Sequence, residues 1–431
     1  MDRSLENRLS DLYVANFACL TEGWPAYVNN RRREALESLA LAGIPGSKDE
    51  NYRHFDLRTF LGRVTRLAGQ SDSGAAEGII ALEDAHRIVL DNGFCQTGDL
   101  RTVSGGAVYG SLRAAATGMA EIVEKYLDKA AGYADDSPTA LCRAFSPDGA
   151  FIYVPGGCVV NFPLHVDIRY GSSGQGTACF PRLLIVLEEG ASAEVVVTHS
   201  DGGPCGVVGG YLRETVVGDN ARLEVIEATS MRPDSMLISC NHSVQGASSK
   251  TTTTAAWLRG GATRINAVTA LEGRDCDSTL YGLYMATGQE LCDVNMKVLH
   301  NVPDCRSNEV VKGIVSGRAT GSFTGMVYVA QDAQRTAALQ QSRNLQLSDA
   351  SRIFTEPQLE IYADDVKCSH GATVGQLNEK EVYYMRQRGI GEQDAKKLQL
   401  QGFVDDVISH CSSGQACQAV TRLAEARIGE L

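Results

Sequence analysis

Cys368 and His370 are the two residues of this chain whose types and spacing best suit joint chemistry. They lie two apart in a run, 360–373, that reads as a strand, and on a strand positions i and i+2 share a face. A thiolate beside an imidazole is half of a tetrahedral site for a soft metal. Lys367, next to the thiol, would lower its pKa. Gly371 would let another backbone approach closely. Two ligands do not complete a site, so the others would come from elsewhere in the chain or from a partner, which favours an interface over a closed site. The same pair also fits an ordinary core strand, because cysteine is among the most buried residue types.

Other polar groups have plainer readings. His165, Asp167 and Arg169 alternate with Leu164, Val166, Ile168 and Tyr170 and read as the solvated face of a strand. Arg31, Arg32 and Arg33 read as an exposed helix face, and Tyr52 and Phe55 as packing residues. The threonines at 251–254 suit an exposed turn or strand, and Cys411 and Cys417 are too loosely spaced to argue for metal. There is no His-Glu-x-x-His, no Gly-x-Ser-x-Gly and no Cys-x-x-Cys. Before Lys250 and Thr251, Val244 and Ser249 stand where a phosphate loop has its glycines. ATP binding by this chain is therefore not expected, nor is a compact four-cysteine cluster.

Three elements must position these residues. An N-terminal part, 1–86, reads helical: Leu5, Leu9, Leu12 and Ala15 recur at helical spacing, and a second helix spans 26–42 and stops at Gly43. Residues 69–78 read as a loop. The middle part, 87–374, has short β-type runs with Gly, Asp and Asn turns between them and one helical interruption at 120–131. Nearly 290 residues of such runs are too many for one sandwich, whereas a solenoid stacks coils without that limit. The C-terminal part, 375–431, returns to helix: Asn378 and Glu381 resemble a capping box, Gly389 stops the helix, and another starts near Glu392. Such a helix hairpin would cap the solenoid and present a surface to something else.

Composition narrows the function. The 431 residues are 43% apolar and 21% charged, an ordinary globular balance long enough for two or three domains. Forty basic against 52 acidic residues give a net charge of −12, which disfavours general nucleic-acid binding. No apolar run approaches the roughly 18 residues of a membrane span, and the charged start, Met1 to Arg8, does not read as a signal peptide. Thirteen scattered cysteines suit reduced thiols, so a cytoplasmic location is expected.

The run from Leu345 through Pro357, Glu360, Cys368 and His370 to Gln376, with Tyr384 to Ile390 after it, resembles the SufB/SufD family of the SUF iron–sulfur cluster assembly system. Residues 48–57 and 148–157 resemble two further motifs of that family, so the likeness runs in order along nearly the whole chain. It implies a right-handed parallel β-helix core between helical ends, and no catalysis by the chain alone. It implies pairing with a SufB-like paralogue, binding of a SufC-type ATPase through the C-terminal helices (Tyr384, Arg386, Arg388, Gly389, Phe403 and Val407), and ATP only through that partner. No cofactor would be held stably; a nascent Fe–S cluster or iron would sit transiently at the SufB interface, with His370 and Cys368 as this chain's metal half-site. A homodimer of the isolated chain is compatible with the same picture. Ser342 stands about where SufB-type chains carry a functional cysteine, and Gly371 where they carry glutamate, so the chain is closer to SufD. Gly157 replaces a lysine frequent among relatives. The alternatives are a SufB-type scaffold and, in another class, a carbohydrate-active β-helix enzyme.

Overall fold

The structure, a computed structural model, describes residues 4–70, 77–103, 105–134, 136–411 and 414–431. Most of the loop expected at 69–78, namely 71–76, lies outside the described residues.

The chain opens with helices α1 (Ser4–Ala15), α2 (Phe17–Thr21), α3 (Ala26–Ala42) and α4 (Leu57–Leu61). Helix α3 ends where Gly43 adopts φ +72°, a left-handed conformation that favours glycine. Its buried face holds Val28, Arg32, Ala35 and Leu39. Arg32 is thus not on an exposed face, as expected, but donates to the carbonyls of Ala144 and Ser146. Burial pushes its guanidinium down to about 10. Tyr52 and Phe55 are core residues.

Strands follow: β1 (Arg66–Leu67), β2 (His86–Asp91), β3 (Phe94–Cys95), β4 (Arg101–Thr102) and β5 (Val108–Ser111). A helical insert comes next, α5 (Leu112–Gly118), α6 (Ala120–Tyr126) and α7 (Ser137–Phe145). It is longer than the interruption expected at 120–131. Ser111 caps α5 by accepting from the Ala114 N–H, and Asp136 caps α7 by accepting from the Thr139 N–H, with Pro138 in the first turn.

From β6 (Ala150–Val154) onward the chain winds into coils. They comprise β7 (Leu164–Gly171), β8 (Thr177–Cys179), β9 (Arg182–Leu187), β10 (Ser192–Gly202), β11 (Val208–Val217) and β12 (Arg222–Ser230). Next are β13 (Met236–Gln245), β14 (Lys250–Arg259), β15 (Ala262–Leu271), β16 (Asp277–Ala286) and β17 (Leu291–His300). The last are β18 (Arg306–Val315), β19 (Thr320–Val329), β20 (Thr336–Gln346), β21 (Arg352–Ile361) and β22 (Val366–Gly375). Successive strands alternate between two sheets, one ordered β21-β19-β17-β15-β13-β11-β9-β6-β5-β4 and the other β22-β20-β18-β16-β14-β12-β10-β7-β2-β3. This is a parallel β-solenoid of about eight turns, as the run pattern predicts.

Register is kept by a repeated corner. Gly190, Asn220, Ser248, Asp275, Asp304 and Arg335 all have φ between +54° and +70°. The N–H groups of Asn220, Ser248, Asp304 and Arg335 bond to Ala247, Arg274, Gln334 and Asp365 in the following coil. Small polar residues tolerate this conformation because their side chains bond locally. The corner tracks coil geometry rather than a fixed residue count, which is why its sequence spacing is loose.

Two surface readings are corrected. His165 and Asp167 face outward from the solenoid yet are buried; the chain at Gly78 comes up against Asp167, and Ile79 and Ile80 continue into the apolar cluster on this face. Asp167 accepts from Arg87 and Arg169, and His165 shares a 2.9 Å hydrogen bond with Thr198. Burial drives the His165 imidazole down to about 4. The threonines at 251–254 lie within β14, with Thr251 and Thr254 buried between coils rather than exposed.

The solenoid's two ends differ. At its start both sheets end in short antiparallel strands: β2 pairs with β3, β4 with β5, and β5 with β6. At its finish, β21 and β22 are edge strands with no further strand beside them among the described residues. The C-terminal helices α8 (Glu379–Gln387), α9 (Glu392–Ile408) and α10 (Gly414–Ile428) do not cap this end, contrary to expectation. Helices α9 and α10 lie along the outer face of the β22-containing sheet. There Val404, Ile408, Val420 and Ile428 pack with Ile226, Ala256, Leu283 and Ile314. The outward residues of β12, β14, β16 and β18 are apolar at these positions, so the hydrophobic effect draws the helices onto the flank. Cys411 and Cys417 are joined as a disulfide between α9 and α10, whereas the remaining eleven cysteines are free thiols. None of the described helices is long and apolar enough to cross a membrane.

Candidate functional site

The open end is built by β20, β21 and β22. In register, Ala338 pairs with Cys368, Gln340 with His370 and Ser342 with Ala372. Ala338 and Gln340 face the solenoid interior, so Cys368 and His370 share the inward-facing row of the last coil. Cys368 is half-buried against Val327, Val329 and Ala333. His370 is exposed at the mouth. Burial pushes the Cys368 thiol up. The lowering expected from Lys367 does not prevail, because Lys367 occupies the opposite, exposed face. At Gly371 an added Cβ would meet nothing of this chain within 4 Å, so any close backbone approach there must come from outside it.

Beneath His370 runs a short polar column. Gln340 is fully buried and its Nε2 donates to Glu309 Oε2 at 2.7 Å. Glu309 lies one coil further in, paired in register with Gln340. Desolvation pushes its carboxyl up to about 7 against the lowering by Gln340. Gln340 Oε1 is buried with no hydrogen-bond partner. Glu309 and Gln340 escape sequence reading, because only the coil register sets them under His370.

Among the described residues no three His, Cys, Asp or Glu side chains converge to hold a metal ion. Cys368 and His370 have no third such side chain beside them, so a complete metal site would need donors from outside this chain. Around them Leu339, Ile361, Tyr362 and Val374 are exposed apolar side chains on or beside the unpaired edges. The segment at 48–57 braces β21 from outside: His54 stacks on Phe354 at 3.9 Å and Arg53 lies 3.8 Å from Glu356.

The C-terminal helices form a second surface. Tyr384, Arg386, Arg388 and Gly389 are exposed, with Arg388 over the Tyr384 ring at 4.8 Å and Arg386 lying 3.4 Å from Glu392. Gly389 has φ +89° and ends the helix, while Asn378 caps its start through the Lys380 N–H. Phe403 is half-buried under the Lys312 ammonium, 4.3 Å from the ring centroid. Val407 is a correction: it is buried in the cluster that fixes α9 to the solenoid and is not offered to a partner. Its place in the 3.6-residue period marks it as core.

The fold defines the class: a parallel β-solenoid with one unclosed end, Cys368 and His370 near that end, and helices along its flank. A family model described as "SUF system FeS cluster assembly, SufBD core domain" matches residues 170–403, and one described as "SufBD protein N-terminal region" matches 3–166. The chain belongs to the SufBD family of iron–sulfur cluster assembly proteins. It is 28% identical to the SufD of Escherichia coli K12 over 382 residues, 87% of each chain. It is 29% identical to a SufBD family protein of Synechocystis over 398 residues, 88% of this chain and 86% of the relative. The SufD of Bacillus subtilis is 27% identical over 307 residues, 70% of each.

Proposed function

We propose that this chain is the SufD-like, non-catalytic member of a SUF scaffold. Its open end pairs with a SufB-like paralogue, and its C-terminal helices bind a SufC-type ATPase. The observation that carries this reading is the pair of unpaired edge strands with His370 at their mouth. Exposed edges invite strand pairing from another chain, and a half-site at such an edge is completed by whatever closes it. His370, with Cys368 beside it, supplies donor groups of this chain to iron or a nascent cluster, which is cargo here and not a resident cofactor. Helix α9 is the link to the ATPase: movement of the helices on the flank shifts β18 and β16, two and three strands in from the edge strand β22.

Co-expression with SufB-like and SufC-like partners from the same organism, followed by native mass measurement, tests the pairing. A complex of one SufB-like chain, one copy of this chain and two ATPase subunits is expected. Failure to bind either partner would refute it. In that complex His370→Ala should abolish cluster formation and leave assembly intact; normal cluster yield would remove His370 from the site. Turnover of a polyuronide by the isolated chain would instead point to a carbohydrate-active enzyme.

A further inference from the structure

We infer that Cys276 and Cys305 are an oxidation site: a peroxide joins them as a disulfide between neighbouring coils. Asp277 and Arg306, the first residues of β16 and β18, are in-register partners, and the Arg306 N–H donates to the Cys276 carbonyl at 2.8 Å. The two cysteines therefore stand side by side on adjacent coils, each just after the left-handed residue of its corner, Asp275 or Asp304. Adjacent strands lie about 4.8 Å apart, inside the roughly 4.4–6.8 Å between Cα atoms that a disulfide spans. Both side chains reach one acceptor, because Cys276 Sγ lies 2.8 Å and Cys305 Sγ 3.3 Å from the Gly273 carbonyl oxygen. They share a small buried cluster with Leu271 and Val298. Ser249 precedes them in the same row and Thr336 follows, so this row brings two thiols together at a single step.

The two thiols differ in acidity. The hydrogen bond from Cys305 favours the Cys276 thiolate against burial, and Ser249 Oγ donates to the same sulfur at 3.8 Å. That contact, together with burial, holds the proton on Cys305. Cys276 is thus the attacking sulfur. Its attack on the peroxide breaks the O–O bond and leaves a sulfenic acid on Cys276, and the departing oxygen takes the thiol proton and leaves as water. The Cys305 sulfur then attacks Cys276: the S–O bond breaks, the S–S bond forms, and the hydroxyl leaves with the Cys305 proton as a second water. The thiols lose two electrons and the peroxide gains them. Exposed Arg274 and Asp275 lead into Cys276 and exposed Arg306 follows Cys305, so local opening of the corner admits so small an oxidant without unfolding the solenoid. The bond staples β16 to β18, two of the strands on which the C-terminal helices pack.

The test uses the full chain, reduced with a phosphine, freed of reductant and treated with hydrogen peroxide. Remaining thiols are alkylated after unfolding, and the chain is digested without reductant and mapped by mass. A peptide pair joined through Cys276 and Cys305, lighter by the two lost hydrogens and absent after reduction, is expected. Cys411 and Cys417 give a separate pair and leave this one distinct. Recovery of Cys276 and Cys305 as alkylated thiols overturns the inference, as does either of them joined to another cysteine. In Cys305→Ser, dimedone should trap a sulfenic acid on Cys276, and in Cys276→Ser none should form on Cys305. The reverse pattern overturns Cys276 as the attacking sulfur. The map of the unaltered chain decides the pairing even if a variant fails to fold.

Discussion

The ammonium of Lys312, on the outer face of β18, lies 2.6 Å from the carboxylate of Asp406 on α9 and donates to the Phe403 carbonyl at 3.0 Å. One buried cation thereby ties the C-terminal helices to the solenoid. Burial pulls the Lys312 pKa down, and the hydrogen bond from Lys312 holds Asp406 below its ordinary value.

The two partners are not equivalent, because Lys312 is buried and Asp406 is largely exposed. Asp406→Ala should cost about 3 kcal/mol, since it strands a buried charge. Lys312→Met should cost only about 1 kcal/mol, because water takes over the carboxylate and one hydrogen bond is lost. Denaturant unfolding of both variants checks the order; equal losses would show that the pair is not desolvated.

The apolar rim of the open end should matter to assembly and little to folding. Ile361→Glu and Val374→Glu should prevent pairing with the SufB-like chain while shifting stability by no more than about 0.5 kcal/mol. Size-exclusion chromatography of the co-expressed proteins, with thermal unfolding of each variant alone, reads both quantities.

Buried histidines set the acid limit. His300 is fully buried, its Nε2 shares a 2.9 Å hydrogen bond with Ser307, and desolvation lowers its pKa to about 4. A lowered imidazole means the unfolded chain binds the extra proton. Its contribution is complete above about pH 6.5 and is lost as pH falls toward 4, on the order of 3 kcal/mol. His300→Gln should flatten the stability profile between pH 6.5 and 4.

Glu309 acts with the opposite sign. Its folded pKa of about 7 exceeds the ordinary 4.5, so the folded state binds the extra proton. The stability this supplies is present below about pH 4.5 and is lost as pH rises through 7. Glu309→Gln should therefore raise the unfolding temperature at pH 8 and change it little at pH 5. Equal shifts at both values would show that the carboxyl is ionised throughout.

Much of the architecture was legible in the residues, because it depends on local rules. Helix α3 ends where Gly43 stops it, Asn378 caps α8, and strand parity alone puts Cys368 and His370 on one face. What failed depends on what lies across a surface. His165 and Asp167 look solvated in a strand pattern, and the return of the chain at Gly78 against Asp167, with Arg87 and Arg169 paired to it, is not readable from that pattern. The C-terminal helices look like a cap until the outward apolar residues of β12 to β18 are seen as one strip, which needs the coil register. That register also places Gln340 and Glu309 under His370, three residues separated by 30 and 31 positions along the chain.

The sealed start of the solenoid limits how far association through sheet edges can go. There the sheets end in the two-residue strands β3 and β4, too short to template another chain, so each copy offers one long open end. Two chains meeting end to end at β21 and β22 would use up both long free edges, and growth would stop at a pair instead of propagating as a fibre, the usual hazard of exposed sheet edges. On the proposed function, a like copy and an unlike paralogue would compete for the same place. If the open end takes a paralogue as proposed, the relative amounts of the two chains would decide how much of this protein enters the working assembly and how much is held with itself.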